Sequence, residues 1–143
     1  MRGKCLCETV EFEILGEMPG LYQCHCSLCR KQGGSTSNTS TIVANSKFRW
    51  LQGEEKISTF ALPTGFRSYF CSTCGSTLPN PLRELPYYWV PSGLFAGTEK
   101  LQIVMHLYVG SRASWDTASL YGTQFETEPE MDAFIRELHA AMH

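Results

Sequence analysis

Seven cysteines fall into three short motifs, and their spacing carries the first chemical information in the chain. Cys5 and Cys7 lie two apart. Residues two apart in an extended chain share a face, so both sulfurs can meet one ion. Cys71 and Cys74 form a CxxC closed by Gly75, where a tight turn brings the sulfurs together and glycine permits a backbone conformation that other residues resist. Joined across a sheet, Cys5, Cys7, Cys71 and Cys74 make a four-thiolate structural zinc site that ties the start of the chain to its middle.

Cys24, Cys26 and Cys29 remain, in the segment QCHCSLCRKQGG, where a CxC overlaps a CxxC. Three thiolates would give a Zn2+ site one net negative charge and an open coordination position, at which a thiol substrate can bind and lose its proton. These three are the candidate catalytic ligands of a second zinc site. Two other readings stand beside this one: His25 or another group closes the site as a fourth ligand, or the three are free thiols with a redox role.

The elements that must position these thiols read as mostly β. Val10, Phe12 and Ile14 alternate with Glu11 and Glu13 over residues 9–15, the period of a half-buried strand. Further strands are predicted at 41–43, 48–51, 57–62, 66–70, 87–90 and 101–108, in runs of aromatic and β-branched residues separated by Gly, Pro, Asn and Ser. Residues 27–33 and those after Cys74 suit short turns or one-turn helices, and the polar stretch Ser35 to Thr41 reads as a mobile loop beside the thiols. A C-terminal helix is predicted, with Thr127 and Glu130 as a capping box, Pro129 in the first turn and Met131, Phe134, Ile135 and Leu138 as the apolar stripe laid on the sheet.

A chain of 143 residues can bury one real core, so a single domain over 1–143 is expected. Hydrophobic residues at 43% and charged residues at 18% exclude a disordered chain. The formal charge of -2, with no basic run beyond Arg30-Lys31, offers no field that gathers nucleic acid or an anionic membrane, and small-molecule or protein partners are expected instead. Charges at Arg2, Lys4, Glu8, Glu11 and Glu13 interrupt any apolar leader. An odd number of cysteines without an export signal points to metal ligands or reactive thiols in a reducing cytoplasm rather than to disulfides.

Taken in order, GKCLC (Gly3 to Cys7), CHCSLCRKQGG (Cys24 to Gly34), FCSTCGSTL (Phe70 to Leu78), YYWVPSGLF (Tyr87 to Phe95) and HLYVGSRASW (His106 to Trp115) resemble the glutathione-dependent formaldehyde-activating enzyme family, or GFA-domain family. The resemblance implies a mainly β fold of the Mss4-like type with a GFA-type zinc-binding domain. It also implies a structural zinc on Cys5, Cys7, Cys71 and Cys74 and a second zinc on Cys24, Cys26 and Cys29. The implied activity is that of a carbon–sulfur lyase, which reversibly joins formaldehyde to glutathione as S-hydroxymethylglutathione. Two departures stand out: Glu8 follows the second cysteine where the family usually has glycine, and Ser35 to Thr41 is more polar than the segment common in family members.

Other residues have a bland reading next to the functional one. Arg30 and Lys31 can pair with the carboxylates of a tripeptide, or be a solvated surface pair. His106 can carry a proton, or be a hydrogen-bonded structural histidine in its apolar run, and the same holds for His25. Trp89, Trp115, Tyr87 and Tyr88 read as core or pocket wall. Against the enzyme stands a non-catalytic zinc-stabilised binding or chaperone module, since the Mss4-like fold also serves proteins that bind small GTPases. A B-type methionine sulfoxide reductase needs an Arg-x-Cys-x-Asn setting that the chain lacks.

Overall fold

The computed structural model describes residues 1–97 and 100–141. In chain order the elements are β1 (Arg2–Lys4), β2 (Glu11–Ile14), β3 (Leu21–Cys24), α1 (Ser27–Gly33), β4 (Asn38–Ala44), β5 (Phe48–Gln52), β6 (Ile57–Ala61), β7 (Arg67–Cys71) and β8 (Thr77–Leu78). They continue with β9 (Asn80–Pro81), β10 (Tyr87–Pro91), β11 (Ile103–Leu107), β12 (Thr123–Gln124) and α2 (Met131–Ala140). The architecture is mainly β with a C-terminal helix. Its contacts group into two compact units, one of Met1–Glu17 and Ile42–Glu99, the other of Met18–Thr41 and Lys100–His143.

In the first unit β1, β2 and β5 form an antiparallel sheet, with Gly3 opposite Phe12 and Phe12 opposite Trp50. The alternation read in β2 is the observed one: Phe12 and Ile14 are buried, while Glu13 turns outward to Arg49 at 3.0 Å. Phe12 stacks on Phe48 and meets Trp50 and Phe95 edge-on, a burial that stabilises the unit by roughly 1.5–3 kcal/mol. Only glycine fits at position 3, because a Cβ there would come within 2.3 Å of the Phe12 ring. A second antiparallel sheet, β6-β7-β8, ends β7 at Cys71.

The second unit is built on β3. It pairs in parallel with β11, which pairs in parallel with β12, and the start of β4 runs antiparallel to β3. Phe134, Ile135 and Leu138 of α2 are buried as the stripe requires, and Phe134 meets Tyr22 of β3 edge-on at 4.9 Å.

Three expectations are corrected. The polar stretch Ser35 to Thr41 is not all loop: β4 begins at Asn38, and Ser40 and Thr41 are fully buried. Ladder pairing of Ser40 with Tyr22 and of Thr39 with Gln23 overrides polarity, and the Thr41 hydroxyl donates to the Gly20 carbonyl at 3.0 Å. The helix cap is Glu130 rather than Thr127: α2 starts at Met131, and the Glu130 carboxylate accepts from the Asp132 and Ala133 amides at 3.1 and 2.7 Å. Pro129 therefore precedes the cap. Trp89 is in the core and Tyr88 stacks on Phe48, but Trp115 is 67% exposed. Its neighbour Asp116 takes the inward position, held by Arg112.

Candidate metal centres

The first centre lies in the first unit, where two turns present their thiols to each other. Cys5-Leu6-Cys7 is a turn and not the extended segment expected: the Glu8 amide donates to the Cys5 carbonyl at 3.0 Å, and Glu8 has φ 66. This is the left-handed region that L side chains resist, which gives a physical reason for glycine at this position. On the other side the Gly75 amide donates to the Cys71 carbonyl at 2.8 Å with φ 78 at Gly75, as its place after CxxC suggested. The two turns are joined by the Leu6 amide, which donates to the Ser76 hydroxyl at 2.9 Å.

Cys5 Sγ lies 3.6 Å from Cys7 Sγ, and Cys7 Sγ lies 3.7 Å from Cys71 Sγ. All four sulfurs, Cys74 included, fall within 4.8 Å of one another. A tetrahedral zinc with thiolates at its usual bond length has sulfur–sulfur edges of about 3.8 Å, so the soft donor set and its spacing fit that ion. Burial pushes the Cys5 thiol up to about 11, whereas the Ser76 hydroxyl holds Cys74 down at about 5. Such a mixed set of thiols is drawn to the thiolate form together when a metal binds.

The second centre lies in the second unit, where β3 hands over to α1. Cys24 is the last residue of β3, opposite Leu107 of β11. Cys26 is the N-cap of α1, its sulfur accepting from the Cys29 amide at 3.4 Å, and Cys29 faces inward from the first turn. α1 closes at Gly34 in the left-handed conformation (φ 62), so the two glycines after the basic pair serve as a helix stop. Cys24, Cys26 and Cys29 Sγ come within 4.8 Å of one another, and no fourth Cys, His, Asp or Glu among the described residues joins them. Three convergent soft donors suit zinc with one position left over. All seven cysteines are free thiols.

His25, between two of these thiols, is not part of the cluster. Its ring is 1% exposed and turns to β11, with Nε2 3.0 Å from Nδ1 of His106, itself 3% exposed. Beyond it Asp116 Oδ2 stands 4.0 Å from His25 Nδ1, and Asp116 is gripped by Arg112 at 3.0 and 3.4 Å. Burial lowers the pKa of both histidines, and the hydrogen bond from Arg112 lowers that of Asp116. Sequence reading did not single out Arg112 and Asp116 as site residues, because a lone Arg and Asp in an irregular loop carry no ligand spacing. Of the basic pair, Lys31 is exposed and Arg30 half-buried, with its Nε buried and without a hydrogen-bond partner among the described residues.

A mainly β chain with a four-thiol cluster and a separate three-thiol cluster defines a class of cysteine-site proteins. Within that class the profile of the glutathione-dependent formaldehyde-activating enzyme family matches residues 1–111, and the chain belongs to this family. A Halomonas elongata relative, provisionally named a glutathione-dependent formaldehyde-activating enzyme, is 27% identical over 84 residues, a match that spans 54% of each chain. The chain thus spans about half the length of that curated relative. A crystal structure of a Rhodobacter sphaeroides protein superposes with a TM-score of 0.58 at 28% identity, covering 68% of this chain and 89% of that one. No helix among the described residues is long and apolar enough to cross a membrane.

Proposed function

We propose that the protein is a zinc-dependent carbon–sulfur lyase of the glutathione-dependent formaldehyde-activating type, a single GFA-type domain working in the cytoplasm. The reaction joins the sulfur of glutathione, or of a related thiol, to the carbonyl carbon of formaldehyde, and the thiol proton ends on the carbonyl oxygen. The observation that carries this reading is the three-thiol cluster of Cys24, Cys26 and Cys29, for which no fourth ligand is found among the described residues. Family membership supports the thiol and the aldehyde as substrates.

Cys24, Cys26 and Cys29 hold the second zinc, while Cys5, Cys7, Cys71 and Cys74 hold the structural one. When bound at the three-cysteine site, zinc supplies an open position at which a substrate thiol is held and acidified. The protein's part is to fix the three sulfurs on β3 and α1 and to leave that side open. The turn of His25 toward His106 speaks against a site closed by His25.

Zinc per chain, measured for the wild type and for Cys26→Ala, together with formaldehyde–glutathione exchange followed by NMR, tests the proposal. Two zinc ions and accelerated exchange are expected for the wild type, and one zinc with exchange at the uncatalysed rate for the variant. A wild type that takes up a single zinc, as the zinc-stabilised binding module predicts, or that leaves exchange at the uncatalysed rate, would overturn the proposal.

A further inference from the structure

We propose that His106 is a positioning residue for the three-cysteine site, fixing the segment between Cys24 and Cys26 through its hydrogen bond to His25. The inference rests on the metal reading proposed above. His25 occupies the position between two ligands, so any rotation of its backbone swings the Cys24 and Cys26 sulfurs apart. Two contacts oppose that rotation, and both end on β11: the His25 amide donates to the Leu107 carbonyl at 2.9 Å, and the His25 ring meets His106 at 3.0 Å. Among the described residues the ring has no other hydrogen bond. Its Nδ1 is buried and without a partner among the described residues, and the Asp116 carboxylate at 4.0 Å is too distant to accept.

The direction of the bond follows from the far side of His106. The backbone of Tyr121 beside that ring favours a protonated nitrogen there. With Nδ1 facing His25, the hydrogen sits on Nε2 of His106, and Nδ1 is left as an acceptor. His25 must then carry its own hydrogen on Nε2 and donate it. The order Tyr121–His106–His25 thus runs from the backbone of Tyr121 to the segment that presents two thiols. Groups behind metal ligands commonly set ligand orientation in this way, and their loss weakens metal binding by about 10- to 100-fold. Here the supporting group reaches the ligands through the backbone of the residue between them.

Two measurements decide. Long-range 1H–15N spectra of the imidazoles in metal-free wild-type protein are expected to show His25 and His106 both as the Nε2–H tautomer; a hydrogen on Nδ1 of either ring overturns the inference without reference to any metal. The second is a chelator-competition titration of zinc, paired with visible spectra of the Co2+-loaded protein, for His106→Leu and His106→Asn. The Leu variant is expected to bind metal at the three-cysteine site about 10- to 100-fold more weakly, with an altered thiolate-to-cobalt band, while the four-cysteine site keeps its affinity. His106→Asn, whose side-chain oxygen can stand where Nδ1 accepts, is expected to restore most of the loss. A Leu variant that binds as the wild type does, or Leu and Asn variants weakened alike, would overturn the positioning role. If the Leu variant does not fold, the tautomer spectra still decide. A wild type that takes up one metal removes the proposed function and leaves the tautomer result standing on its own.

Discussion

Cys7 Sγ and Cys71 Sγ lie 3.7 Å apart although 64 residues separate them in the chain. Such a contact between two turns, one exposed cysteine meeting one buried at 1% exposure, closes a long loop. A metal bound there would contribute to folding, because the unfolded chain holds no such site. Cys71→Ser, or stripping with a chelator, is expected to lower the melting temperature by roughly 10 °C or more, at roughly 2–4 °C per kcal/mol for a chain of this length. Scanning calorimetry with and without zinc checks this, and a melting point unmoved by chelation would show the centre to be dispensable for stability.

Glu8 holds φ 66 at the turn that delivers Cys7, and this conformation costs a side chain about 1 kcal/mol or more relative to glycine. Its ion pair with Lys4 offers little in return, since both side chains are about half or more exposed. Glu8→Gly and Glu8→Ala lose that pair equally, so their difference isolates the backbone. Urea denaturation is expected to find the glycine variant more stable than the alanine variant by about 1 kcal/mol. Equal midpoints would mean that the turn relaxes out of the left-handed region.

The cap of α2 separates two positions that sequence reading had joined. Because the Glu130 carboxylate accepts from two first-turn amides, Glu130→Ala is expected to cost about 1 kcal/mol. Thr127 is exposed and three residues short of the helix, so Thr127→Ala is expected to stay within about 0.5 kcal/mol of wild type. The reverse order in a denaturation series would restore the capping box.

Legibility in the sequence followed the signal each element carries. β2 was readable because Phe12 and Ile14 alternate with acidic residues, one face buried and one open. β3 was not, because Leu21, Tyr22 and Cys24 are all buried and no alternation survives. β4 was half hidden behind polar residues: Ser40 is buried by ladder pairing with Tyr22, and the Thr41 hydroxyl by the Gly20 carbonyl, partners that only the fold brings near. The two thiol groups were legible because ligand spacing is itself chemistry, and the structure brings each set together. The local route differed: Cys5 and Cys7 meet through a turn at a left-handed residue, a geometry that the letters Cys-Leu-Cys do not encode. Arg112 and Asp116 lie just past the family match, at residues whose types have many uses, so their approach to His25 could be seen only in the folded chain.

The two buried histidines make the fold sensitive to acid. His25 is shifted down from 6.5 first by burial, then by His106 and Arg112, with Asp116 opposing; His106 is shifted down by burial and Arg112, with Tyr121 opposing. A base whose folded pKa is depressed binds its proton more readily in the unfolded chain. Stability from these rings is therefore fully present above pH 6.5 and falls as pH drops from there toward the folded values. Between about pH 7.5 and 5.5 the wild type is expected to lose stability more steeply than His106→Asn, which removes one of the two titrating groups. Parallel profiles from urea melts at each pH would show that these rings do not set the acid limit.

In the metal-free protein the three clustered thiols divide their protons unequally. Cys26 is drawn down by hydrogen bonds from Cys24 and then Cys29, while Cys24 is pushed up by the same contact with Cys26, and Cys29 by both neighbours. Geometry agrees, since Cys26 Sγ is the one that accepts from a backbone amide at the start of α1. Exposure adds to the bias: Cys26 is half-buried, whereas Cys24 and Cys29 are each 8% exposed. The thiolate is the reacting form, so iodoacetamide at about pH 6 is expected to label Cys26 well ahead of Cys24 and Cys29. Zinc loading is expected to suppress that labelling. Peptide mass spectrometry after timed quenching reads both effects. Equal labelling of the three cysteines would place the negative charge on no single sulfur, and labelling of Cys26 unaffected by zinc would remove it from the ligand set.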